Sequence, residues 1–246
     1  MSLQACANLV ARADPERFAA VMAAPLNARS VLLPIYAATA EVARAPWMTK
    51  EPVIAEMRLQ WWRDVFEAIE QGKARKHEVV DALAEVLTAR GAEALDKMVL
   101  ARRWDIYREG FDGPTTLLSH VRDITMGPMV AALDGLGDLP EDLQSLNAHA
   151  TRLGLARFLR GIPALIALNV PVWSEDQKVN IYRDLCIKAN AMDASDIRSP
   201  GMIESANCGR VLRFVTRNPE SVEAGGIPNF AFSTATVRAL HAWRSR

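Results

Sequence analysis

Apolar residues recur along this chain mostly at helical spacing, in blocks interrupted by proline, glycine and asparagine. The blocks predict helices over about 26–45, 52–71, 77–90, 92–109, 114–135, 140–161 and 175–192. Strand-like alternation is scarce. Pro52, Pro114 and Pro140 each suit a first helical turn, where an amide is unpaired in any case. Ser174 followed by Glu175 and Asp176 reads as an N-cap with acids that complement the helix dipole. Between Ser199 and Pro228 glycines, prolines and asparagines break every period, leaving a short helix near 203–217 and another near 233–244. The resulting expectation is an all-α chain, 1–246, in one domain, with 199–228 irregular.

Projected at 3.6 residues per turn, 52–71 places Ile54, Met57, Leu59, Trp61, Trp62, Val65, Phe66, Ala68 and Ile69 on one broad arc. Glu56, Gln60, Arg63, Glu67 and Glu70 take the remainder, which predicts a largely buried helix with both tryptophans turned inward. Arg58 falls in the middle of the apolar arc. A guanidinium there requires either a carboxylate, such as Glu41, Asp105 or Asp123, or a wet cavity. On 26–45, Arg29, Leu33, Tyr36, Ala40, Ala43 and Arg44 share a stripe; on 140–161, His149, Leu153, Ala156 and Arg160 do.

Composition narrows the classes. With half of 246 residues apolar the chain is long enough for one core, and 29 basic against 29 acidic residues give no excess of the kind a nucleic-acid partner requires. Cys6, Cys186 and Cys208 are too dispersed for a disulfide framework or a zinc site, which points to a reducing, cytoplasmic setting. The N-terminus lacks a leader pattern, since Asn8, Arg12 and Asp14 interrupt it. The longest apolar run, 162–173, contains Pro163, Asn169 and Pro171 and is shorter than the ~20 residues a membrane span needs. A soluble or membrane-peripheral protein is expected.

Candidate chemistry is sparse. His77, His120, His149 and His241 have neither metal-ligand spacing nor a nucleophile beside them, Gly135-x-Gly137 follows no strand, and Cys186 lies on an apolar stripe. Acids four apart occur at Asp81 and Glu85, Asp105 and Glu109, and Asp138 and Asp142. The first pair reads as a solvated helix face and the last as a turn with a helix start.

Met57-Arg58-Leu59-Gln60-Trp61-Trp62-Arg63-Asp64 resembles the signature of the squalene/phytoene synthase family. The resemblance covers roughly 16–171 and includes Arg29-Ser30-Val31-Leu32-Leu33-Pro34-Ile35-Tyr36-Ala37-Ala38, similar to the family's arginine followed by Leu-Tyr-Ala-Phe. It implies an all-α isoprenoid-synthase-like bundle around a central cavity. In active synthases the first segment leads into D-x-x-x-D, and a later helix carries an arginine-aspartate pair followed by two more acids. Together these hold magnesium against the departing diphosphate. Here the helix continues Thr39-Ala40-Glu41-Val42-Ala43-Arg44-Ala45, with alanine and arginine where carboxylates would align, and Arg160 is followed by Gly161-Ile162-Pro163-Ala164. Asp105, in Arg103-Trp104-Asp105-Ile106, is similar to a family Met-Asp-Leu segment. Glu41-Val42-Ala43-Arg44 together with 58–64 also resembles the metal-motif-poor branch that includes the respiratory complex I assembly factor.

The resemblance therefore implies a member without prenyltransferase activity, an assembly or lipid-binding factor in the cytoplasm or at the periphery of the inner membrane. Its basic pocket would comprise Arg29, Tyr36, Arg44, Arg58, His149 and Arg160. That pocket would grip a prenyl diphosphate or another anionic lipid through arginine forks, with no cofactor, and the partner in assembly would be a protein. In the opposing reading Glu41, Asp64, Asp105 and Asp123 pair with these arginines and close the cavity. A third reading is a magnesium-dependent head-to-head prenyltransferase, for which Asp64, Asp105 and Asp123 have to converge on the metal.

Overall fold

Proline at the first helical position opens three of the helices in the computed structural model, which describes residues 3–174 and 180–229. The order is α1 Leu3–Ala13, α2 Pro15–Ala23, α3 Leu26–Arg44, α4 Pro52–Glu70, α5 Val80–Leu83 and α6 Ala89–Ala101. It continues with α7 Trp104–Tyr107, α8 Pro114–Leu136, α9 Gln144–Ala167, α10 Asn180–Asn190 and α11 Cys208–Arg217. Short 3-10 turns lie at Ala45–Met48, Pro200–Ser205 and Pro219–Ser221. Among the described residues no strand forms, only an isolated bridge between Phe111 and Trp173. None of the described helices is long and apolar enough to cross a membrane.

Two helices, α1 and α2, precede the first one expected from periodicity. Asp14 caps α2 by accepting from the Arg17 amide at 2.9 Å. The expected 77–90 and 92–109 helices divide elsewhere, because Thr88 caps α6 by accepting from Gly91 N at 2.9 Å and starts a new helix inside the first range. The second range ends early, at Ala101, and Arg108 adopts a left-handed conformation with φ 55° that stops α7. Pro140 is not in a first turn: α9 starts four residues later, where Asp142 accepts from Gln144 N, and continues through Pro163. The tail helix expected near 203–217 divides into a 3-10 turn and α11. The cap at Ser174–Asp176 extends beyond the described residues, and the helix near 233–244 lies wholly outside them.

α3 is central: Leu32, Leu33, Ile35, Tyr36, Ala37 and Ala38 are all buried, so most of its circumference faces protein. It packs with α1 and α8, while α8 lies between α6 and α9. Two glycines allow that close layering. A Cβ at Gly127 would stand 2.6 Å from the Ala94 carbonyl of α6, and one at Gly154 would strike the Val121 carbonyl of α8.

α4 is less buried than its composition implies. It turns Ala55, Leu59, Trp62, Val65 and Phe66 inward, with Trp61 set edge-on to Trp62 at 5.0 Å between centroids. Val53, Ile54 and Met57 are 71%, 44% and 67% exposed. Arg58 is exposed as well, reaching only the Met48 sulfur at 3.7 Å, so it neither lies within a buried arc nor meets the expected acids. Apolar composition had widened the arc; over the first two turns only its Ala55–Leu59 side faces the core.

Candidate functional site

The ends of four helices, α1, α2, α3 and α6, and the sides of two more, α8 and α9, surround a cavity of about 490 Å³. α2 contributes Arg17, the last turns of α3 contribute Ala40, Ala43 and Arg44, and α6 ends at Arg102. α8 supplies Ile124 and Thr125; α9 supplies Gly154, Arg157 and Phe158. The small side chains of Ala40, Ala43 and Gly154 leave the space open. Four arginines line it against one carboxylate, Asp14.

The four cations are in different situations. Arg44, at the rim with its side chain 58% exposed, pairs with Glu41 at 3.1 Å. Arg102 donates from Nη1 to Asp105 at 3.0 Å, while its buried Nε has no partner. A buried donor left without a partner is costly. Arg17 and Arg157 converge on Glu204, at 2.8 and 3.0 Å. Asp14 stands behind them, 3.8 and 3.6 Å away.

Glu204 comes from the turn Pro200–Ser205, and its side chain is 1% exposed. Burial opposes its charge, but the adjacent Arg17 and Arg157 prevail and hold its pKa below the ordinary carboxylate value. Burial likewise opposes the Arg17 charge and is outweighed by Glu204 and Asp14, so that pKa rises. Tyr36 donates to Glu204 at 3.2 Å and carries Arg17 over its ring at 4.6 Å; burial and the Glu204 charge raise its hydroxyl pKa well above normal. The floor of the cavity is thus a fixed, neutralised cluster; of the remaining two arginines Arg102 is held by the buried Asp105, and Arg44, paired within its own helix to Glu41, is the one at the exposed rim.

An aromatic wall adjoins the cavity through Phe158, whose neighbours Trp104 and Phe111 stack at 4.9 Å, with His120 5.2 Å from each. Burial, then the Arg102 charge, lowers the His120 pKa to about 4, so its imidazole is neutral at physiological pH.

The residues expected to form the pocket are dispersed. Only Arg44 lines the cavity. Arg29 instead donates to the carbonyls of Met22 and Ala24, tying off the end of α2. Tyr36 lies beneath, as described. Arg58 is on the outer surface. His149 meets the Ser195 carbonyl at 3.0 Å, and Arg160 reaches Glu16 at 2.7 Å and the Pro228 carbonyl at 3.1 Å. The acids do not converge either: Glu41 pairs with Arg44, Asp105 with Arg102, Asp123 with Arg122 at 2.8 Å, and Asp64 accepts from Gln60 at 2.8 Å. Among the described residues no three His, Cys, Asp or Glu side chains come together to hold a metal ion.

Sequence reasoning missed Arg17, Arg102, Arg157 and Glu204. Asp14-Pro15-Glu16 was a legible helix start that would have placed Arg17 in a first turn; Glu204 had no local signal beyond its apolar neighbours Met202 and Ile203. A larger hollow of about 570 Å³ lies between α6 and α8, but Arg90 and Lys97 on its rim are balanced by Glu93 and Asp123, so it does not select an anion.

A model of the squalene/phytoene synthase family matches residues 10–176. Among solved structures, a dehydrosqualene synthase in complex with ligand superposes with a TM-score of 0.73, covering 97% of this chain and 94% of that one at 13% identity. At that identity the likeness is one of fold, the all-α isoprenoid synthase fold. No curated protein matches the chain.

Proposed function

The chain belongs to the squalene/phytoene synthase family, and from that premise we propose a member without prenyltransferase activity, acting as a lipid-binding or assembly factor. It accepts one phosphorylated isoprenoid or similar anionic lipid in the arginine-lined cavity, with no divalent metal. The observation that carries this reading is the convergence of Arg17, Arg44, Arg102 and Arg157 on one cavity, with Arg44 at its exposed rim, paired only within its own helix to Glu41, where the family motif would align an acid. A guanidinium fork binds phosphate directly and needs no bridging ion. The volume is within the ~300–1,000 Å³ of small-molecule sites, and Ile124 and Phe158 offer the tail an apolar surface. In the assembly role the lipid is carried, not consumed, and the partner is a protein.

The test is calorimetric titration with farnesyl diphosphate, in chelator and in magnesium, followed by product analysis. Binding should survive chelation, with no pyrophosphate released. Arg44→Met should weaken it about tenfold or more, the loss of one charge-assisted hydrogen bond of ~1.5–3 kcal/mol. Arg160→Met, outside the cavity, should not. Magnesium-dependent turnover, or affinity indifferent to Arg44, would refute the reading.

A further inference from the structure

Of the twelve large apolar side chains that stay exposed among the described residues, five gather at one corner: Met48, Val53, Ile54, Met57 and Tyr107. The corner is built from the turn Ala45–Met48, the start of α4, and α7, which pack on one another. At 100° per residue Val53, Met57 and Ile54 span roughly 100° of the open side of α4. Arg58 joins one edge of this strip to Met48. At the other edge, Glu56 accepts from Tyr107 Oη at 2.9 Å and Arg103 Nε at 2.9 Å, so α7 continues the surface.

The charges around the strip favour one kind of partner. Lys50, Arg58, Arg103 and Arg108 surround it, the last lying 4.0 Å over the Trp47 ring. The surface carboxylates on the same segments are Glu51, Glu56 and Glu109, leaving an excess of one cation. Exposed aliphatic side chains bordered by long basic ones, with a tyrosine and a tryptophan at the margin, match an anionic lipid–water interface. The corner also adjoins the cavity: Arg44 ends α3 at the cavity rim and leads directly into Ala45–Met48.

We propose that this corner docks the protein onto an anionic membrane surface, placing the cavity mouth where a lipid can pass between bilayer and Arg44. The docking surface rests on its own exposure and charge; its purpose rests on the lipid-binding reading above. It accounts for apolar positions on α4 that no part of the described chain covers.

The experiment is co-sedimentation of the full chain with vesicles of phosphatidylcholine, with and without phosphatidylglycerol. The chain should sediment with the anionic vesicles and be released by high salt. The double substitution Val53→Ser, Met57→Ser should cut the bound fraction roughly tenfold, and Arg58→Glu should also reduce it. Leu26→Ser, 78% exposed at the start of α3, should not. All these sites are on the surface, so circular dichroism should report unchanged folding. Failure of the wild type to sediment, or equal sedimentation of the double variant, overturns the proposal; a protein partner at this corner would give that result. Farnesyl diphosphate titration reads the cavity separately: the double variant should titrate as wild type. Loss of titration in every form, with patch-dependent sedimentation intact, would remove the lipid-transfer purpose and leave the docking surface standing.

Discussion

Replacing Glu204 by alanine removes the carboxylate on which Arg17 and Arg157 converge. Arg17 is 6% exposed, and without Glu204 its nearest remaining acid is Asp14 at 3.8 Å. A buried ion pair contributes little net stability against an apolar substitute, but removing one partner strands a charge at a cost of about 3–5 kcal/mol. A chain of this length loses about 2–4 °C of Tm per kcal/mol, so Glu204→Ala should melt roughly 6–20 °C below wild type at neutral pH. Thermal unfolding followed by circular dichroism measures this. Because the folded-state pKa of Glu204 lies below its ordinary value of 4.5, its contribution is fully present above that value and disappears as pH falls through the folded pKa. The gap between variant and wild type should therefore close in strong acid. A double substitution, Arg17→Met with Glu204→Ala, should lose less than the sum of the two single losses. A Tm within about 2 °C of wild type for Glu204→Ala, or strict additivity in the double, would refute the account of a stranded guanidinium.

Further outcomes follow from packing and titration. Gly154→Ala forces a methyl into the Val121 carbonyl and to 2.6 Å from the Thr125 hydroxyl; backbone cannot yield cheaply, so a loss of about 3 kcal/mol or more is expected by denaturant titration. His120, neutral down to about pH 4 in the fold, charges more readily when unfolded, so it lowers stability as pH falls from about 6.5 to 4, by up to ~3 kcal/mol. His120→Phe, placed among Trp104, Phe111 and Phe158, should flatten that limb of a stability–pH curve. Arg160→Met should cost little at neutral pH, since its partner Glu16 is half exposed, which a melting curve will report.

The helical class and the starts of α4 and α8 were legible because Pro52 and Pro114 mark them locally and apolar periodicity carries each helix onward. The family signature in 57–64 led to the right fold, yet the burial of its own helix was misjudged: Val53, Ile54 and Met57 are apolar, but apolarity does not say which side has a neighbour. Arg58 was placed within the arc for the same reason. The site was less legible than the fold. Arg44 could be found because it stands where the family motif expects an acid. Arg29 and Arg160 share its stripe pattern but bond to a helix end and to Glu16, since a projection locates a residue on its own helix and not against the next one. Arg17 and Glu204 are brought together entirely by tertiary structure, and no window of sequence contains both.

Those two residues are 187 positions apart, which affects the chain during its synthesis. At about 5–20 residues per second, Arg17 leaves the ribosome roughly 10–40 s before the carboxylate that will neutralise it. In that interval α2 cannot close over Tyr36 without burying a charge that has only Asp14 to face. Full burial of Arg17 on α2 therefore has to wait for Glu204, and the closing of the cavity floor is expected to be a late event in the birth of the protein.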